Sequence, residues 1–135
     1  MYGRSRLQYM EAANKLLGNE IELLEYKRQE AQAYLIQDRE NLNQIAKENI
    51  GTTFGFNNTT GDITNYDEIM SSVRKNYETY YNKAKKGGFS KGEQNRLEDY
   101  SKATSAVQEA ISTYDETKEL LEDIENEIRE TVYSI

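Results

Sequence analysis

The sequence predicts an all-α protein: a long antiparallel coiled-coil helical hairpin that carries a small β-hairpin insertion. Only 36% of the 135 residues are apolar, and six of the eight glycines lie in two short windows that divide the chain into three segments. Long thin helices bury one narrow stripe each, so they need less apolar material than a sandwich or a doubly wound sheet. A compact three-helix bundle is the alternative topology. In both cases we expect residues 1–135 to form a single helical module.

The first segment predicts a helix over about 4–49. Its packing seam consists of Leu17, Ile21, Leu24, Leu35, Leu42 and Ile45, and the alternating steps of three and four continue through Leu7, Met10 and Ala31. This spacing is typical of a coiled coil. Asn14, Arg28 and Asp38 interrupt the seam, and such polar positions can fix the register of a helix pair. A helix of this extent would be about 70 Å long, which favours an elongated chain.

The first glycine window, about 52–64, is the part that does not follow a helical pattern. Two short runs rich in β-forming residues flank a polar turn, so we expect a hairpin that pairs 54–56 with 62–64. A lone hairpin is marginally stable in water. We therefore expect its apolar side chains, Phe54, Phe56 and Ile63, to be anchors that pack against neighbouring helices.

The second segment predicts a helix over about 66–86. Asn65 and Glu68 have the spacing of a capping box, in which the Asn65 side chain would accept from the first amides of the helix. Lysines in the last turn suit the negative end of the helix dipole. A turn at 87–90, which begins with Gly87 and Gly88, ends the helix.

The third segment predicts a helix over about 91–133. Ser90 and Glu93 form a second capping box at its start. Its packing seam consists of Leu97, Tyr100, Val107, Ile111, Tyr114, Leu121 and Ile128, with Ile124 widening the stripe. If the chain turns back at 87–90, this helix runs antiparallel beside the second helix and then beside the first.

The composition removes the commonest catalytic constellations, although carboxylates, lysines and tyrosines remain available. The chain contains no His and no Cys, so it lacks an imidazole base, a thiol nucleophile and a thiolate zinc ligand. The glycine window resembles an EF-hand loop superficially, but Phe56 occupies the first ligand position and Asp67 the twelfth. Adjacent acids such as Glu98 and Asp99 point to different sides of a helix. We expect no enzyme, metal or cofactor.

Charge is negative overall and unevenly distributed. The net charge of −7 does not favour binding to nucleic acid or to an anionic membrane, and no apolar run reaches the length of a membrane span. Residues 115–130 hold eight acids against two bases, whereas 74–91 hold six bases against one acid. These are either solvated helix faces or opposite patches that order the packing of neighbouring chains. The eleven tyrosines are either core residues or a partner-binding strip.

Several segments together resemble a module of the tail tape measure proteins of long-tailed bacteriophages and prophages. The resemblance covers roughly 20–130. It is carried by the segments 20–24, 31–35, 54–56, 61–70, the Gly-Gly-Phe-Ser turn at 87–90, and 111–117. The most specific of these is Gly-Asp-Ile-Thr-Asn-Tyr-Asp-Glu-Ile at 61–69, because ordinary coiled coils do not carry this passage after a hairpin.

The resemblance implies a piece of a much longer helical protein that lies in the tail lumen, sets tail length and leaves during DNA ejection. Its expected partners are copies of itself or adjacent modules, tail tube proteins and assembly chaperones. Its expected location is the virion, and the cytoplasm of the host bacterium during assembly. The alternative is a cellular adaptor or scaffold that binds a protein partner through its seams or its hairpin.

Overall fold

A computed structural model describes the backbone of residues 2–133 and the side chains of residues 18–133. Three helices are present in this part of the chain: α1 (Tyr2–Ile50), α2 (Tyr66–Lys86) and α3 (Lys91–Tyr133). Their bounds differ by at most two residues from the predicted ones. The all-α class is confirmed. Leu17 of the predicted seam, like Leu7 and Met10, lies outside the residues whose side chains are described.

The glycine window does not form the expected pair of strands. No strand is assigned within 2–133, and 54–56 and 62–64 share a single antiparallel bridge between Phe56 and Ile63. The Thr64 amide donates to the Gly55 carbonyl at 2.9 Å on one side of this bridge. The segment is therefore a folded loop in which one bridge replaces the predicted hairpin.

The chain divides into two compact units. The first unit comprises Met1–Ile36 and Glu116–Ile135, and the second comprises Gln37–Asp115. Among the described side chains of the first unit, the buried apolar ones are Leu24, Ala31 and Ile124. Ile21, Leu35, Leu121 and Ile128 are half-buried. The described side chains of the first unit thus form a thin core, as expected where two helices pack against each other.

The second unit has the thicker core. Its buried apolar side chains are Leu42, Ala46, Phe54, Ile69, Ala84, Val107, Ala110, Ile111 and Tyr114. Ala46 and Ala84 are fully buried, as are the larger Leu42 and Val107, so the core combines small and large side chains. Within this unit α2 runs antiparallel to α3, since Tyr80 contacts Tyr100 while Tyr77, nearer the start of α2, lines a groove with Thr104.

The connection between α2 and α3 is a Schellman turn. The Phe89 amide donates to the Ala84 carbonyl at 2.8 Å, and the Gly88 amide donates to the Lys85 carbonyl at 3.2 Å. Gly88 has a φ of 73°, which favours glycine. The Phe89 ring then packs edge-on against Tyr81, with ring centroids 5.5 Å apart. These contacts fix where α2 ends and where α3 begins.

The two predicted capping boxes have different outcomes. Half of the box at Ser90 and Glu93 is present: the Ser90 Oγ accepts from the Glu93 amide at 3.4 Å, whereas the buried Oε2 atom of Glu93 has no hydrogen-bond partner. The prediction for Asn65 is wrong: Asn65 is the residue before α2, but its side chain makes no capping hydrogen bond. That side chain binds the backbone of the glycine window instead. The start of α2 retains Asp67 and Glu68, whose negative charges suit the positive end of the helix dipole.

Replacing Gly88 with alanine is expected to lower the free energy of unfolding by about 1 kcal/mol, because an L side chain is disfavoured at positive φ. Gly92 provides the control, since it lies in the first turn of α3 and an added Cβ meets nothing within 4 Å. Thermal melts followed by circular dichroism should give a lower Tm for Gly88→Ala and an equal or higher Tm for Gly92→Ala. Equal melting of the two variants would contradict the Schellman assignment.

Candidate functional site

The structure places the predicted seam residues at different depths. Six are buried: Leu24, Leu42, Val107, Ile111, Tyr114 and, among the hairpin anchors, Phe54. Eight are half-buried: Ile21, Leu35, Ile45, Leu97, Leu121, Ile128, Phe56 and Ile63. Tyr100 is 37% exposed and contacts Tyr80 of α2 through its ring. The apolar stripe therefore marks the inward faces of α1 and α3, and Tyr100 lies at its edge.

In the second unit, α1 and α3 each bury one residue that lies outside the predicted seams. Ala46 and Ala110 are 0% and 7% exposed. Each follows a seam residue at helical spacing, Ala46 four residues after Leu42 and Ala110 three residues after Val107. A pattern that counts alanine as apolar would have found them.

The residues 51–65 form the first candidate site, a loop whose backbone is held by a side chain from α1. The Oδ1 atom of Asn43 accepts from the Phe54 amide at 2.8 Å, and its Nδ2 atom donates to the Phe54 carbonyl at 3.3 Å. A neighbouring strand would offer the same pair of groups. Asn43 thus satisfies both polar backbone groups of a residue whose side chain is only 3% exposed.

A second asparagine holds the adjacent residues of the loop. The Oδ1 atom of Asn65 accepts from the Gly55 amide at 2.8 Å, and its Nδ2 atom donates to the Thr53 carbonyl at 3.4 Å. At Gly55 an added Cβ would lie 2.8 Å from Oγ1 of Thr64, so the two arms of the loop approach closely there. Residues 53–55 are consequently bound through their backbone by two side-chain amides.

The tip of the loop is ordered by Asn57. Its Oδ1 atom accepts from the amides of Thr59 and Thr60, at 2.8 and 3.1 Å, which is an Asx turn. Its carbonyl accepts from the Gly61 amide at 2.8 Å, and Gly61 has a φ of 76°. The side chains of Asn58, Thr59 and Thr60 are exposed. The loop therefore presents a polar tip with a defined backbone.

The loop is joined to both long helices through Phe56 and Gly61. The Arg39 guanidinium lies 4.2 Å from the centroid of the Phe56 ring, a cation–π contact from α1. From α3, the Tyr114 ring packs against Phe56 with centroids 5.0 Å apart, and its hydroxyl donates to the Gly61 carbonyl at 2.5 Å. Tyr114 is 1% exposed. Tyr114 therefore lies in the seam, as predicted, and also joins α3 to the loop.

A second candidate site is the exposed aromatic edge of α2. Tyr66, Tyr77 and Tyr81 are between 37% and 41% exposed. The Tyr77 and Tyr81 rings stack with centroids 6.4 Å apart. Beside them lies a groove of about 530 Å³ between α2 and α3. Aromatic side chains that are exposed and ordered are typical of protein-binding surfaces.

Tyr80 belongs to the same helix but has a structural contact. The Nη1 atom of Arg96 donates to the Tyr80 hydroxyl at 2.7 Å. This hydrogen bond raises the pKa of the Arg96 guanidinium above its usual value. Tyr80 and Tyr100 also pack with ring centroids 5.6 Å apart, so Tyr80 helps to join α2 to α3.

Over the described residues, no three side chains of the acidic or metal-binding types are grouped so that they could hold a metal ion. None of the helices, in the same part of the chain, has an apolar stretch long enough to cross a membrane. In comparisons with known proteins, no family model, no curated protein and no solved structure matches the chain. The resemblance to tape measure proteins therefore stays a prediction from the sequence.

Replacing Asn43 with alanine leaves the amide and carbonyl of Phe54 without their side-chain partner. We expect the free energy of unfolding to fall by about 1–3 kcal/mol, the usual cost of unpaired backbone groups in a part-buried position. Asn43→Asp should also destabilise, because a carboxylate oxygen would then face the Phe54 carbonyl. Urea unfolding measures both variants.

Asn41→Ala is the matched control for this experiment, since Asn41 is exposed on the same helix. Its free energy of unfolding should stay within about 0.5 kcal/mol of the parent value. If Asn43→Ala is no more destabilising than Asn41→Ala, the Asn43 amide does not hold the loop.

Proposed function

We propose that the chain is a non-enzymatic structural module of a phage tail protein of the tape measure type. The observation that carries this proposal is the length of α1 and α3, which contain 49 and 43 residues. Helices in globular proteins average about 11–12 residues. Two helices of this length, with few buried side chains between them, favour a module that adds length to an assembly over one that encloses an active site.

The proposed finer architecture is a long antiparallel coiled-coil hairpin with the 51–65 loop as a lateral insertion. In the second unit, Glu48 of α1 lines a groove with Arg96 and Ala103 of α3. In the first unit, Lys27 of α1 lines a groove with Ile124 of α3. Lower numbers in α1 thus meet higher numbers in α3, which is what an antiparallel hairpin requires. The compact three-helix bundle is the alternative for the same three helices.

The proposed setting is the tail lumen in the virion, and the host cytoplasm during assembly. The partners would be adjacent helical modules or further copies, tail tube proteins and assembly chaperones. The loop suits a confined space, because Asn43 and Tyr114 hold it against the helices.

The alternative function is a helical adaptor that binds a protein partner. The exposed tyrosines of α2 favour it, since Tyr77 and Tyr81 offer ordered aromatic surface beside an open groove. An adaptor does not need to be elongated, so the maximum dimension of the particle distinguishes the two functions.

The tail role predicts that purified tails contain this chain. In a phage or prophage that encodes it, mass spectrometry of purified tails should detect its peptides. An in-frame duplication of the chain should lengthen the tails seen by electron microscopy. Duplication is preferable to deletion, because a deletion could abolish assembly through misfolding. Tails that lack the peptides, or that keep their length after duplication, would contradict the proposed function.

The hairpin architecture predicts an elongated particle. Small-angle X-ray scattering of the isolated chain should give a maximum dimension above about 70 Å, since α1 alone requires this at 1.5 Å per residue. A monomer with a dimension of about 40–50 Å would mean that α1 is not one extended helix in solution, and it would favour a compact bundle and the adaptor. The scattering should be recorded over a concentration series, so that association is separated from elongation.

A further inference from the structure

One face of α2 carries a row of aromatic and basic side chains that begins with a methionine, which we call the α2 stripe. Its members recur at steps of three and four residues, and all but the half-buried Met70 are exposed: Met70, Arg74, Tyr77, Tyr81 and Lys85. This spacing places them in a single row on a helix. The stacked rings of Tyr77 and Tyr81 lie in the middle of the row, with a cation near each end.

The first unit carries a groove of opposite character, which we call the stem groove. It lies between α1 and α3 and has a volume of about 550 Å³. Its apolar walls include Tyr34 and Leu120, which are 51% and 53% exposed. Its charged lining is acidic on balance, with Glu30, Asp123 and Glu127 against Lys27.

We propose that the α2 stripe of one copy docks into the stem groove of a second copy. Arg74 and Lys85 of the stripe complement the acids of the groove, and opposite charges across an interface favour the encounter of the correct surfaces. Tyr77 and Tyr81 supply the aromatic contact area. Ordered tyrosines lose little conformational entropy on binding, and Tyr and Arg dominate the energetics of many interfaces.

Charge selects this arrangement over the symmetric ones. Two stem grooves facing each other would bring together the acids of both grooves, Glu30, Asp123 and Glu127, against one Lys27 each. Two α2 stripes facing each other would bring Arg74 and Lys85 of one copy close to the same two cations of the other. Only the stripe-to-groove pairing places opposite signs together. A docked pair keeps one stripe and one groove free, on different copies, so the association is heterologous and can continue from copy to copy.

This inference depends on the two surfaces and not on the tail role, because an adaptor could self-associate in the same way. Sedimentation analysis of the whole chain, from micromolar to millimolar concentration, should show association at low ionic strength. The association should weaken in about 1 M salt, where the Debye length falls to about 3 Å. A chain that stays monomeric throughout the low-salt series overturns the proposal.

Charge reversal locates the interface. Arg74→Glu and Glu127→Lys should each weaken self-association by about tenfold or more, because each places like charges together. Lys75→Glu and Glu125→Lys are matched controls. They make the same charge changes at exposed positions of the same helices, outside the residues that line the two grooves. If the controls weaken association as much as the test variants do, net charge and not this interface is responsible.

Mixing the two test variants gives the decisive result. In the proposed interface, Arg74 of the stripe lies opposite Glu127 of the groove. The acid introduced by Arg74→Glu and the base introduced by Glu127→Lys are therefore complementary, so an equimolar mixture should associate more tightly than either variant alone. A defect in folding would not be rescued in this way, and circular dichroism checks that each variant is helical. A mixture that associates no better than its components overturns the proposal, whatever the tails of the phage contain.

Discussion

The pair of hydrogen bonds between the Asn43 side chain and the backbone of Phe54 is the constraint on which the second unit depends. A loop of this length without regular structure needs partners for its backbone groups, since a buried amide or carbonyl left unpaired is costly. Asn43 supplies those partners from the face of a helix, where a sheet would use a neighbouring strand. With Phe54 held, Phe56 reaches Arg39 and Tyr114, so one polar side chain determines which apolar and aromatic contacts can form.

The two units are stabilised in different ways. In the first unit, few apolar side chains are buried among the described residues, and Leu24, Ala31 and Ile124 carry the contact between the helices. The second unit adds α2 and the loop, and with them hydrogen bonds from side chains to distant backbone. A tyrosine can contribute both apolar packing and a hydrogen bond. Tyr114 fills a buried position with its ring and donates to the Gly61 carbonyl with its hydroxyl.

The structure follows the sequence pattern most closely where the signal is local. The end of α2 and the start of α3 follow from Gly88 and Ser90, whose roles are decided within a few residues. The capping prediction for Asn65 was wrong, because the same side chain can cap a helix or bind a loop, and the distant partners Thr53 and Gly55 decide between these. The role of Asn43 could not be predicted from periodicity, because its partner Phe54 lies eleven residues away on an irregular backbone. The α2 stripe and the stem groove could not be predicted either, because the spacing of residues does not show which helix faces stay exposed until the packing is known.

The thin core also limits how strongly structure constrains sequence. In the first unit most described side chains face solvent, and substitutions at such positions usually change stability by no more than about 0.5 kcal/mol. Selection for folding therefore acts on few sites there, mainly the inward positions, while the 51–65 loop demands particular residues at Asn43, Phe54 and Asn65. Descendants of such a chain can drift apart over their helices and still share a fold. The traces of common ancestry would then persist longest in an irregular loop and fade first along the regular helices.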